Sequence, residues 1–311
     1  MKRNVQGAFG WAWLATAVGC ALFAFVALGP STAQAQGIAS TKHNLGSTGT
    51  GENKSSSTDE VCVFCHTPHG ADTTDPQSNP PLWNKRLATG ATYQTYSTLQ
   101  TSSLDGNELS VGSVSVACLS CHDGTQAMDN IINAPGSGGY DATGGGEFGL
   151  SYAWAGARVT AEGKLQDPVG GVNVALIGQD LKNDHPIGIE YCGGGIDGTG
   201  AGATGTDASG TCTDPDFQQP KMALINSVPY FWVDTGAAAG DNVRHRTDMI
   251  LYTRDFSGVG GAANTPSVEC GSCHDPHVAE GDVGPNSVAA GATFLRISNT
   301  GSAVCLACHI K

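Results

Sequence analysis

Four copies of one short pattern hold most of the chemistry available to this chain. They read CVFCH (Cys62, Cys65, His66), CLSCH (Cys118, Cys121, His122), CGSCH (Cys270, Cys273, His274) and CLACH (Cys305, Cys308, His309). Two thiols separated by two residues and followed at once by a histidine form the attachment pattern of c-type haem. The spacing lets both thiols reach the two vinyl groups on one edge of a porphyrin as thioethers, and it sets the adjacent histidine beneath the iron as axial ligand. Zinc ribbons and dithiol redox pairs also use C-x-x-C. Neither accounts for a histidine directly after all four pairs. The expectation is four covalently attached haem c groups, held by the eight cysteines, with His66, His122, His274 and His309 as proximal ligands.

The remaining histidines then acquire a role. Of nine in the chain, five lie outside the motifs: His43, His69, His185, His245 and His277. Four irons need four distal ligands. Methionine is the competing ligand, but only Met128, Met222 and Met249 follow the leading segment, too few for four sites. Histidine on both faces of every iron is the economical reading. His69 and His277 each follow a motif histidine by three residues, in CHTPH and CHDPH. A tether this short cannot wrap around the porphyrin edge to the far side of the same iron, so each of these residues, as a ligand, must serve a different haem. Each such unit would tie two haems into near contact. His43 (in STKHNLG) and His185 (in NDHPIGIEY, where Pro186 stiffens the backbone) complete the expected set. His245, between two arginines in NVRHRTD, is the spare.

Of eleven cysteines, eight belong to the motifs and Cys20 lies in the leading segment, so Cys192 and Cys212 remain as an even pair. In an oxidising compartment such a pair reads as a disulfide closing a Gly-rich loop; two free thiols are the alternative.

The elements that must position these groups carry weak signals. Residues 1–35 read as a secretory signal peptide: Lys2 and Arg3, an apolar run from about Ala8 to Leu28, and Ala33-x-Ala35 as the small-residue cleavage site. A retained anchor is the alternative, since the run nearly reaches spanning length. Residues 36–311 then form a single tetrahaem domain, with motifs at 62–66, 118–122, 270–274 and 305–309 and a long loop-rich insertion at 130–265. Charged residues make up 14% of the chain and glycine numbers 44, a composition poor in core-formers that calls for covalent or cofactor staples. The net charge of −13 argues against nucleic acid or an anionic membrane surface as partner. VPYFWVD, MILYTRDF and GATFLRIS read as short strands, and SVACLSCHDGTQAMD as helical at its centre. The fold class expected is mostly coil with short helices and a few short strands, a multihaem c-type cytochrome whose haems form the core.

Together, TKHNL, CVFCHTPHG, PLWN, CLSCHDGT, NDHPIG, CGSCHDPH, FLRISN and the terminal CLACH resemble the exported tetrahaem cytochromes of metal-reducing bacteria. Within these the chain is similar to the OmcE-like extracellular cytochromes that polymerise into filaments. The motifs spread over nearly the whole mature chain. The resemblance implies bis-histidine ligation throughout, a loop-dominated fold, and a distal histidine donated across each subunit interface. Carried over, it makes His69, or else His43, the residue that ligates a haem of the next copy.

The function these observations imply is extracellular electron transfer along closely stacked bis-histidine haems, as the repeating subunit of a conductive filament. Partners would be further copies of the chain, redox proteins at the cell surface, and metal oxides or electrodes as acceptors. The alternatives are a discrete periplasmic or cell-surface carrier and, from another class, a multihaem reductase of a small nitrogen oxyanion. The reductase needs one iron with an open position, which five spare histidines for four irons do not require. No catalytic residue is expected.

Overall fold

The computed structural model describes residues 37–73, 81–87, 93–99, 101–144, 149–199, 205–235, 240–277 and 294–310. The chain divides into two units, Met1–Ala35 and Gln36–Lys311; the expected signal peptide lies outside the described residues. In the second unit most of the described residues are coil, among which run three short α-helices and three antiparallel sheets, one of six strands and two of two. Among the described residues no helix is long and apolar enough to cross a membrane.

In chain order the strands are β1 (Lys54–Ser55), β2 (Trp154–Ala155), β3 (Ile189–Glu190), β4 (Ile196–Asp197), β5 (Thr206–Asp207), β6 (Ser209–Gly210), β7 (Lys221–Ile225), β8 (Val228–Val233), β9 (Met249–Arg254) and β10 (Thr265–Val268). Six of them form one sheet in the order β3-β10-β9-β8-β7-β5. The β7–β8 hairpin closes through Asn226 and Ser227, both at positive φ (51° and 65°), the backbone a two-residue hairpin turn demands. Its register sets Met222 opposite Phe231 and Phe231 opposite Leu251. Strand side chains alternate between faces, so these three point to one side, where all are buried. They form the largest hydrophobic core, with Tyr191, Cys192, Val233 and Met249. The insertion expected to be loop-rich therefore holds five of the six sheet strands and the start of the sixth. Its side-chain core is shared with Ile297 and with Ala307 of the fourth motif.

A disulfide joins Cys192 to Cys212, with Cα atoms 5.3 Å apart, and both residues pack on that core. Closing a loop of this length removes unfolded-chain entropy worth about 3 kcal/mol. Of the expected strands, VPYFWV and MILYTR form as β8 and β9. Residues 291–293 of GATFLRIS lie outside the described residues, and its described part forms no strand: Leu295 makes a single bridge to His274 and Phe294 sits at φ 58°, which no strand tolerates.

The helices coincide with the motifs. Ser113–His122 ends on the second motif's histidine, Cys270–Cys273 spans the third motif's cysteines, and Ala303–Cys308 spans the fourth's. Glu269 caps the middle one. It is 1% exposed, and its carboxylate accepts hydrogen bonds from Ser115 Oγ (2.6 Å), Arg254 Nη1 (3.1 Å) and Ser267 Oγ (3.2 Å). One buried charge thus ties the second motif's helix, strand β9 and the third motif together.

Candidate haem-ligand sites

Every motif turns as one helical turn. The His66 N–H donates to the Cys62 carbonyl, His274 to Cys270 and His309 to Cys305, at 2.8, 3.1 and 3.0 Å. Positions i, i+3 and i+4 of a helical turn share a face, so each histidine projects to the same side as its two thiols. A second device recurs at three of the four. His66, His274 and His309 each form an isolated antiparallel bridge, with Trp83, Leu295 and Phe217 respectively. A bulky apolar residue is thereby set beside each motif histidine. Trp83 meets the His66 ring edge-on at 5.8 Å, and Phe217 lies 4.3 Å from the His309 ring.

Ring orientation is fixed from behind. His66 Nδ1 lies 2.9 Å from the Pro81 carbonyl and His122 Nδ1 2.7 Å from that of Ala175. A carbonyl can only accept, so Nδ1 carries the hydrogen, and Nε2 is the nitrogen left to ligate a metal. His185 Nδ1 faces the carbonyl of Pro186 at 2.9 Å. His277 Nδ1 faces a carboxylate instead, Asp275 Oδ1, at 3.3 Å. Burial lowers His43 to about 4 and also lowers His122, so both rings are neutral at pH 7.

Two pairings follow, each joining a motif histidine to one from outside the motifs. His43 and His122 have ring centres 6.1 Å apart with planes at 79°; His66 and His277 have centres 6.1 Å apart with planes at 20°. A metal–imidazole nitrogen bond is about 2 Å and the ring centre lies ~1 Å further, so two imidazoles on opposite faces of one metal have centres roughly 6 Å apart. The observed spacing fits an iron between the members of each pair. His277 follows His274 by three residues yet meets His66, the histidine of a motif two hundred residues earlier. Phe294 stacks on the His43 ring at 4.3 Å.

The other histidines differ. His69 and His185 are exposed, and among the described residues neither ring is drawn into a histidine pair. The Asn133 side chain and the Thr67 hydroxyl both donate to the His69 carbonyl, which fixes its backbone and leaves the ring outward. His245 lies 3.6 Å from Asp241 Oδ2. The three methionines are buried in apolar packing, Met222 and Met249 in the sheet core and Met128 beside Val159 and Leu165.

The motifs neighbour one another in chain order. Ala117 and Cys65 share a cluster with Trp83. The thiols of Cys118 and Cys270 are in hydrogen-bond contact, and the Cys270 N–H donates to Ser115 Oγ at 3.0 Å. Cys273 and Cys308 pack on one core. Burial pushes Cys65 and Cys308 up to about 12 and Cys273 to about 11; at neutral pH they are thiols. Among the described residues no three His, Cys, Asp or Glu side chains converge as a bare metal ion would require.

Several positioning residues escape sequence reasoning. Asn84, fully buried, donates to the Val63 and Asn133 carbonyls at 2.6 and 3.0 Å. Lys85, also fully buried, donates to the carbonyls of Ala127 and Met128. These two residues of PLWNK brace the first motif against the segment that follows the second. Asp275 was visible only as one letter of CHDPH. No protein-family model and no curated protein sequence matches the chain.

Proposed function

We propose that this chain is an exported tetrahaem c-type cytochrome that moves electrons and performs no substrate chemistry, and that it assembles with copies of itself into an extracellular filament. The observation that carries the reading is the pair of 6.1 Å histidine couples, His43–His122 and His66–His277. Each combines a motif histidine, turned toward its own thiols, with a histidine from a distant part of the chain. Bound haem would supply one-electron Fe(III)/Fe(II) chemistry at low potential, as two imidazole ligands favour the oxidised iron. The chain's part would be to hold two oriented imidazoles to each such iron and to keep neighbouring motifs in contact.

With His43 and His277 engaged inside the chain, His69 and His185 are left for the irons under His274 and His309. Both are exposed; His69 stands on a braced backbone, and we assign it to the next copy. Protein sheared from intact cells, imaged by electron microscopy with haem absorbance measured on the same fraction, tests this. Regular filaments are expected from the wild type and none from His69→Ala. Isolated particles at every concentration of wild type would return the reading to a discrete carrier at the cell surface or in the periplasm.

The ring planes supply a second expectation. Near-parallel imidazoles split the iron d orbitals strongly; near-perpendicular ones leave them almost degenerate. Electron paramagnetic resonance of the oxidised protein should therefore show a rhombic low-spin signal from the 20° pair beside a highly anisotropic one from the 79° pair. Four superimposable rhombic signals would contradict the His43–His122 geometry.

A further inference from the structure

The two C-x-x-C-H-x-x-H units differ at one chemically important position. After the motif histidine the first unit has Thr67 and the second, at the third motif, has Asp275. Both side chains serve the loop in the same way, accepting from the backbone N–H two residues on: His69 N to Thr67 Oγ1 at 3.4 Å, and His277 N to Asp275 Oδ1 at 3.0 Å. The turn therefore forms with either residue. Only the aspartate does something more: its Oδ1 also lies 3.3 Å from His277 Nδ1. His66, His122 and His185 rest on neutral backbone carbonyls. Among these four histidines, His277 alone has a full negative charge behind its ring.

We infer that Asp275 is a potential-setting residue, which makes the His66–His277 iron easier to oxidise than a neutral partner would and so differentiates it from the others along the chain. This rests on the reading that an iron lies between those two rings. A carboxylate that accepts the Nδ1 hydrogen draws the imidazole toward imidazolate and raises the basicity of Nε2. A more basic ligand stabilises Fe(III), with its extra positive charge, over Fe(II), and second-shell hydrogen bonding is one of the protein's levers on haem potential.

Asp275 is itself held in place. Its N–H donates to the Phe294 carbonyl at 2.8 Å, and Arg296 Nη1 lies 3.6 Å from its other oxygen, Oδ2. Arg296 is 8% exposed and anchored by the Gly271 and Arg246 carbonyls. The guanidinium moderates the carboxylate's charge and fixes the face it presents to His277. Thr67 leaves His69 with no such charge, so the two tandem units would deliver distal ligands of unequal donor strength.

Asp275→Asn tests the inference, because the amide oxygen can still accept the His277 N–H and preserve the turn. Spectropotentiometric titration of the haem-loaded protein should show one of four midpoint potentials raised, by about tenfold in the one-electron equilibrium (~59 mV), with all four haems low-spin. Asp275→Glu, which keeps the charge, should restore much of the wild-type value. Four unchanged potentials in Asp275→Asn, or the same rise in both variants, would overturn the inference and leave the tetrahaem reading standing. Wild-type protein with fewer than four low-spin haems would remove the reading on which it rests.

Discussion

Replacing His277 by alanine should convert one low-spin haem of four into a high-spin, CO-binding haem while the other three remain unchanged. The expectation follows from the length of the tether and from where the ring ends up. His277 lies three residues beyond His274, too near to serve as second ligand to a haem held by that motif, and its ring centre sits 6.1 Å from that of His66. On the proposed ligation, removing it would leave His66 as the sole imidazole of its iron, and such an iron would bind CO on reduction. The effect should be all-or-none at that centre, since nearby residues offer no substitute: Asp275 is a short carboxylate and Arg296 cannot ligate. His245→Ala is the control. That ring stands against Asp241, and its loss should leave every haem low-spin. A His277→Ala protein with no high-spin fraction and no CO shift would remove His277 from the ligand set.

The second large effect concerns stability. Glu269→Ala should destabilise the haem-loaded protein by about 3–5 kcal/mol, the range for breaking a buried ion pair from one side, read as a lower urea midpoint in near-ultraviolet circular dichroism. The substitution strands Arg254, whose other guanidinium nitrogen donates to the Ser110 carbonyl at 3.2 Å, and it removes the cap that joins the second and third motifs. Glu269→Gln should cost less, because the amide oxygen still accepts. The pH dependence has a definite sign. Burial outweighs Arg254 and raises the Glu269 pKa above 4.5, so the folded chain binds the proton more tightly than the unfolded chain does. Its contribution is fully present below 4.5 and is lost as pH rises through the folded value. The glutamine variant should lose that dependence. An alanine variant within 1 kcal/mol of wild type would show that the pair carries little.

What was legible in the sequence was whatever chemistry fixes locally. The four motifs, the even pair Cys192 and Cys212, and the helix around CLSCH are set by spacing within a few residues. The expectation that His277 does not pair with His274 was likewise a matter of tether length. Which motif histidine it meets was not legible, since bringing His277 to His66 depends on Glu269, Ser115, Asn84 and Lys85 stacking the motifs in order. The sheet was read only in part. β8 and β9 announce themselves by aromatic and β-branched runs, whereas β3 and β5 are two residues long, too short for any periodicity to show. The β7–β8 turn uses Asn226-Ser227, without the glycine that usually marks positive φ. GATFLRIS had the composition of a strand, but the bridge that sets Leu295 beside His274 takes precedence there. Asp275 carried no signal by itself; its meaning comes from a 3.3 Å contact with a ring.

The most direct test of the account is intact-mass spectrometry of the purified, exported protein together with its low-temperature magnetic resonance spectrum. The account predicts four covalently bound haems per chain, all low-spin when oxidised, and no spectral change when CO is added to the reduced protein. Fewer than four haem additions, zinc in their place, or a native haem that binds CO would contradict it.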